Sequence, residues 1–176
     1  MSDLLNTIKQ MEELCDVVDR AGYGITHINP QKKLREMMRM ELIAFALYVT
    51  ASDGKVSDKE AGFIGSLMGA KLSPDVVAQV IEQTHVYSTS FERTIPQSLR
   101  CFVKMDCAMI DSGKEMESKA SHSLVKLFQE VGREIATTDR RLERDEMDNV
   151  ISYIQTLDDF VKTHLNEKLA VNPPAS

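Results

Sequence analysis

The sequence predicts an all-α protein, folded as one compact bundle of about seven helices. Along most of the chain, apolar residues recur at the three- and four-residue spacing of amphipathic helices. No stretch alternates polar and apolar residues for long enough to indicate a β-strand. Short segments rich in glycine, proline, serine or aspartate separate the apolar runs, as expected where helices begin and end.

The first half of the chain is expected to hold four helices. The first spans residues 3–20. A long helix from Gln31 contains Leu42–Val49, which is apolar on all sides and therefore belongs at the centre of the fold. After an acidic turn comes a helix over residues 58–69. Ser73-Pro74-Asp75 then supplies a serine N-cap and a proline at the first helical position of a short fourth helix.

Three more helices follow an irregular connector over residues 84–94. One restarts at Ile95-Pro96 and stops at Asp111-Ser112-Gly113, and the next covers residues 118–136. The last begins after a second acidic turn and carries an apolar stripe from Met147 through Ile151 to Val161.

Length and composition indicate a single soluble domain over residues 1–170. The chain of 176 residues is 43% hydrophobic and 27% charged, with a net charge of −6. It lacks the clustered basic face of a nucleic-acid-binding protein and any apolar run near the ~20 residues that a membrane span needs. Three scattered cysteines predict cytoplasmic thiols rather than disulfides or a zinc site. Residues 171–176 have linker composition and suit either a plain terminus or the start of a linker.

Two features of the long second helix leave alternatives open. Met37, Met38 and Met40 favour core packing, although methionines also form adaptable partner surfaces. Glu41 either leans towards the acidic turns or faces water.

The acidic turn after this helix, ASDGKVSDKE over residues 51–60, has a second copy, TTDRRLERDE, over residues 137–146. Each copy keeps a hydroxyl residue, an aspartate, an apolar residue three positions later and a glutamate four positions after that. The matched residues are Ser52 and Thr138, Asp53 and Asp139, Val56 and Leu142, and Glu60 and Glu146. This repeat predicts two related halves, each a helix–acidic turn–helix, with the two turns near each other.

One interpretation of the turn is helix punctuation. Gly54 can adopt the left-handed conformation because it has no Cβ. Ser57 and Glu60 have the spacing of a capping box for the next helix. In the second copy, Arg140 replaces the glycine and Glu143 replaces the capping serine, while both acids remain. This pattern favours a use for the acids beyond punctuation.

The other interpretation is a cation site. Asp53, Gly54 and Glu60 match positions 5, 6 and 12 of an EF-hand calcium loop. Val49 and Ala51 fall on positions 1 and 3 and offer no side-chain oxygen, which excludes a true EF-hand. The remaining hypothesis is that Asp53, Glu60, Asp139 and Glu146 are exposed enough to bind a divalent cation of the Ca²⁺ or Mg²⁺ class.

Within an all-helical chain of this size, ASDGKVSDKE resembles the tellurite-resistance protein B (TerB-like) family over about Met37–His164. The resemblance implies a compact fold of about seven helices, metal binding at paired acidic turns, and work in stress-response or membrane-linked complexes rather than catalysis. The resemblance implies that the metal ligands in this sequence are Asp53 and Glu60 in the first turn and Asp139 and Glu146 in the second.

No catalytic arrangement stands out among the histidines and cysteines. His27, His85, His122 and His164 lack metalloprotease spacing and a near cysteine partner. A nucleophile at Cys101 or Cys107 would need a base and an oxyanion hole, which a sequence does not show. We therefore expect a non-enzymatic protein that binds a cation weakly and works with other proteins. The alternative is a helical interaction domain whose acids only cap helices, with no bound metal.

Overall fold

The computed structural model describes residues 2–24, 31–86, 91–114, 119–137 and 144–171. Within these ranges the chain forms seven α-helices and no β-strand, which confirms the all-α prediction. The helices are α1 (Ser2–Arg20), α2 (Leu34–Thr50), α3 (Asp58–Met68), α4 (Pro74–Thr84), α5 (Gln97–Asp111), α6 (Ala120–Ala136) and α7 (Arg144–Val171). A short 3₁₀ turn at Phe91–Arg93 precedes α5. None of the helices in these ranges is long and apolar enough to span a membrane.

Local signals fix several helix ends where the sequence predicts them. The Ser73 hydroxyl accepts a hydrogen bond from the N–H of Val76, and Pro74 is the first residue of α4. Helix α5 ends at Asp111, as predicted. Helix α2 begins at Leu34, three residues later than expected, and α7 continues well beyond the predicted stripe to Val171.

Three helices begin after residues whose side chains do not cap them. Lys33, Pro96 and Lys119 are the N-cap residues of α2, α5 and α6, and none makes a side-chain cap bond. Carboxylates from other helices fill this role. In the first case, Oδ2 of Asp19 in α1 accepts the N–H of Leu34 at 2.8 Å, which explains where α2 starts.

Glu41 of α2 caps α5 in this way. Its carboxylate accepts the N–H groups of Gln97 and Ser98, at 2.5 and 3.2 Å, together with the Ser98 hydroxyl. Glu41 thus neither faces open water nor leans towards the acidic turns, so both expected alternatives are wrong. Burial raises the pKa of this carboxyl above its usual value, and the three hydrogen bonds oppose that shift.

Asp106 of α5 repeats the arrangement at α6. Its carboxylate, only 2% exposed, accepts the N–H groups of Ala120 and Ser121 at 3.1 and 2.9 Å and the Ser121 hydroxyl at 2.5 Å. Both helices therefore have a serine at the second helical position and a capping carboxylate from a neighbouring helix. These bonds fix α2 against α5, and α5 against α6.

One hydrophobic core contains buried residues from all seven helices. At its centre, the ring of Phe45 in α2 stacks on Tyr153 of α7 at 4.8 Å and lies 5.6 Å from Phe128 of α6. Gly132 lets α6 approach closely, because a Cβ there would lie 2.9 Å from Phe45 and from Val150. The prediction that α2 runs through the centre of the fold is confirmed.

The three methionines of α2 have different surroundings. Met38 is fully buried, and Met37 packs partly against the core. Met40 is 71% exposed, so the expected core packing is wrong for this residue. Its position on the opposite side of the helix accounts for the difference.

Candidate functional site

The first acidic turn connects α2 to α3. Gly54 has φ of +73°, the left-handed conformation that the sequence predicts for it. One carboxylate oxygen of Asp53, Oδ1, accepts the N–H of Lys55 at 2.9 Å and closes a local turn. Val56 packs against the core and anchors the turn.

Ser57 and Glu60 form the predicted capping box. The Ser57 hydroxyl accepts the N–H of Glu60 at 3.2 Å, and Oε2 of Glu60 accepts the N–H of Ser57 at 2.7 Å. The helix-punctuation role of this pair is therefore confirmed.

The second carboxylate oxygen of Glu60, Oε1, takes no part in the capping box. Glu60 is 5% exposed, and its Oε1 is buried without a hydrogen-bond partner in the described part of the chain. We expected the acids to be exposed, and this is wrong for Glu60 because its side chain folds back towards Ser57. A buried carboxylate oxygen without a partner is costly, and such atoms are rare in folded proteins.

The second acidic turn is described only at its end. Asp139 lies outside the described residues, as do Arg140 and Glu143. Glu146 lies in the first turn of α7 and is also 5% exposed, so its expected exposure is wrong too.

A side-chain bond joins the start of α7 to the first acidic turn. The Asn149 amide donates to the Ser52 hydroxyl at 2.7 Å, and that hydroxyl donates to the Tyr48 carbonyl at 3.3 Å. Asn149 follows Glu146 by three residues, which is less than one helical turn. The helix after the second motif thus contacts the first motif. Superposition of the two halves stays a prediction.

The described acids do not by themselves form a complete metal site. Among the residues that the structure describes, no group of three histidine, cysteine or acidic side chains is placed to hold a metal ion. Asp53, Glu60 and Glu146 therefore do not meet as a three-ligand set. A cation at Glu60 would need water, a backbone oxygen or Asp139 to complete its shell.

Two of the three cysteines, Cys15 and Cys101, have little thiolate character. Cys15 and Cys101 are buried, and Cys107 is half-buried. Burial raises the pKa of the Cys15 thiol far above its usual range and that of Cys101 to about 11. The Cys15 sulfur contacts the Met38 sulfur at 3.6 Å within the core. These two thiols are structural.

A second feature, not predicted from the sequence, is a groove between α6 and α7, here called the α6–α7 groove. Its volume is about 620 Å³, and its apolar floor consists of Val125, Met147, Val150, Ile151 and Ile154. Ile151 belongs to the predicted apolar stripe of the last helix, yet it is 59% exposed. Helical spacing alone gives the same signal for a core residue and for a groove residue.

Comparison of the chain with protein-family models, with curated proteins and with solved structures finds no match.

Proposed function

We propose that this chain is a non-enzymatic, TerB-like helical module that binds a divalent cation weakly at its acidic turns. We further propose that it acts in a stress-response or regulatory complex in the cytoplasm. The observation that carries the cation proposal is the unpartnered Oε1 of Glu60, buried beside a turn that also holds Asp53.

The chemistry of the turn suits a hard cation. Glu60 uses one oxygen for the capping box and Asp53 uses one for Lys55. Each carboxylate thus has a second oxygen in the region of the turn, and carboxylate oxygen is the ligand that Ca²⁺, Mg²⁺ and Mn²⁺ prefer. A cation would offset the cost of the buried charge on Glu60, although it must overcome repulsion from the positive end of α3.

Affinity should be low because the turn offers few side-chain ligands. Weak calcium modules with dissociation constants of ~10⁻⁴ to 10⁻³ M set the scale. At a cation concentration of about ten times the dissociation constant, binding stabilises the folded state by about 1.4 kcal/mol. For a chain of this size, that raises the melting temperature by about 3 to 6 °C.

The second candidate is a helical interaction domain whose acids only cap helices. The complete capping box of Ser57 and Glu60 favours it.

Thermal melts of three variants separate the two candidates. Each variant is melted with and without about 10 mM Ca²⁺, Mg²⁺ or Mn²⁺, which is about ten times the dissociation constant of a weak calcium module. Glu60→Gln keeps a capping partner but removes the charge, so we expect a near-normal melt without cation and no shift with it. Ser57→Ala should lose about 1 kcal/mol under both conditions. Asp58→Asn is the matched control, because Asp58 is an exposed acid in the same helical turn.

The control variant should keep the full cation shift. If no cation moves the wild-type melt, the cation site is wrong and the interaction-domain candidate stands. If Glu60→Gln and Asp58→Asn lose the shift equally, the cation is held by diffuse surface charge instead of by the turn.

A further inference from the structure

The α6–α7 groove has the length of a short helix. Its α6 side runs from His122 to Arg133, about 16 Å at 1.5 Å per residue, and its α7 side from Met147 to Lys162, about 22 Å. An amphipathic helix of three to four turns matches this length, and a groove between two helices is a common seat for one.

The floor of the groove offers an apolar anchor. Ile151 is 59% exposed and lies among the partly buried Met147 and Ile154 and the buried Val125 and Val150. Leaving a large aliphatic side chain in water is unfavourable, and an apolar patch framed by polar residues is typical of an interaction site.

The rim of the groove carries the opposite charge to the chain as a whole. Lys126, Arg133 and Lys162 line it, with Asp158 as the acidic lining residue, whereas the full sequence has a net charge of −6. Asp158 pairs with Lys162 at 2.5 Å, and Lys126 reaches Glu130 only at 4.0 Å. Arg133 has no ion-pair partner among the described side chains. Lys126 and Arg133 thus place positive charge on the α6 side of the rim.

We propose that the α6–α7 groove docks an acidic amphipathic helix from a partner protein. Bulky apolar residues on one face of that helix would cover Ile151, and flanking carboxylates would meet Lys126 and Arg133. This inference goes beyond the cation site and does not depend on it.

A second copy of this chain is a poorer occupant. One acidic amphipathic helix of its own is α1, whose apolar face is already packed in the core through Ile8 and Met11. The acidic helices α4 and α7 are likewise packed in the core, through Val77 and Leu157. Freeing α1 for another molecule would open that core, so the occupant is expected to be a different protein.

The test is selection from a display library of random helical peptides, each about 15 residues long, against the full chain. We expect enrichment of acidic peptides with apolar residues at three- and four-residue spacing. Ile151→Asp should weaken their binding at least about tenfold. Lys126→Glu combined with Arg133→Glu should do the same and should remove the salt dependence of binding.

Two control variants separate the groove from general surface effects. Met40→Asp changes an apolar residue that is more exposed than Ile151, and Lys71→Glu reverses an exposed charge outside the groove. Both should bind the selected peptides like wild type. Circular dichroism of all variants checks that they remain folded.

Several results would overturn the proposal. These are enrichment of basic or non-helical peptides, no enrichment at all, or acidic peptides whose binding is insensitive to Ile151→Asp. Self-association in sedimentation that is lost in Ile151→Asp would instead assign the groove to a second copy.

Discussion

Replacing Asp106 tests the capping of one helix by an acid from another. Asp106→Ala removes the acceptor for the N–H groups of Ala120 and Ser121 and for the Ser121 hydroxyl. Losing an N-cap costs about 1 kcal/mol, and each buried donor left without a partner adds about 1 to 3 kcal/mol. Removing a buried carboxylate returns part of its desolvation cost. We expect a net loss of about 3 kcal/mol, which lowers the melting temperature by about 6 to 12 °C.

Urea unfolding of a double-mutant cycle measures this effect. Ser121→Ala should cost less in the Asp106→Ala background than in wild type, because its hydroxyl then has no carboxylate to bond. Glu82→Ala, at an exposed acid on α4, is the control and should change stability by less than about 0.5 kcal/mol. A loss below about 1 kcal/mol for Asp106→Ala, or additive single effects, would refute the reasoning.

Three further predictions concern packing, ionisation and thiol reactivity. Gly132→Ala should destabilise the fold by about 1 to 2 kcal/mol, because the new Cβ would clash with Phe45 and this outweighs the better helix propensity of alanine. As a control in the same urea assay, Gly62→Ala should stabilise the fold by about 0.5 to 1 kcal/mol, because the space around Gly62 is open. The pKa of Glu41 is higher in the folded protein than in the unfolded chain. The difference in unfolding free energy between wild type and Glu41→Gln should therefore favour wild type most below about pH 4, and this advantage should fall as pH rises through the pKa of Glu41 in the folded protein. Urea unfolding across this range measures the difference, and an opposite slope would show that the hydrogen bonds outweigh burial. Iodoacetamide should label half-buried Cys107 first and leave the buried thiols intact until the protein unfolds, as mass spectrometry can show.

Much of the fold was predictable because its signals are local. Ser57 with Glu60, and Ser73 with Pro74, fix the starts of α3 and α4 from residues within one helical turn. The apolar stripe of α2 likewise identifies the central helix.

The caps supplied by other helices were not predictable. Glu41 and Gln97 are 56 positions apart in sequence, and no local pattern indicates which acid caps which helix. The start of α2 was misplaced for the same reason, since Asp19 sets it from α1.

The candidate site was predictable in its residues but not in its burial. Spacing alone identified the capping box, whereas the burial of Glu60 and Glu146 depends on how their helices pack. Ile151 shows the converse case. Its apolar spacing predicts a core position, but Ile151 lines the open groove between α6 and α7 and is 59% exposed.

Paramagnetic broadening by Mn²⁺ tests the cation site most directly, because it reports where the ion binds. At low Mn²⁺, the backbone amide signals of Ser57 and Glu60 should lose intensity first, together with the Asn149 side-chain amide that contacts the turn. The same signals should persist in Glu60→Gln and broaden normally in Asp58→Asn. Broadening spread evenly over the exposed acids of the surface, with the turn unaffected, would contradict the proposed cation site.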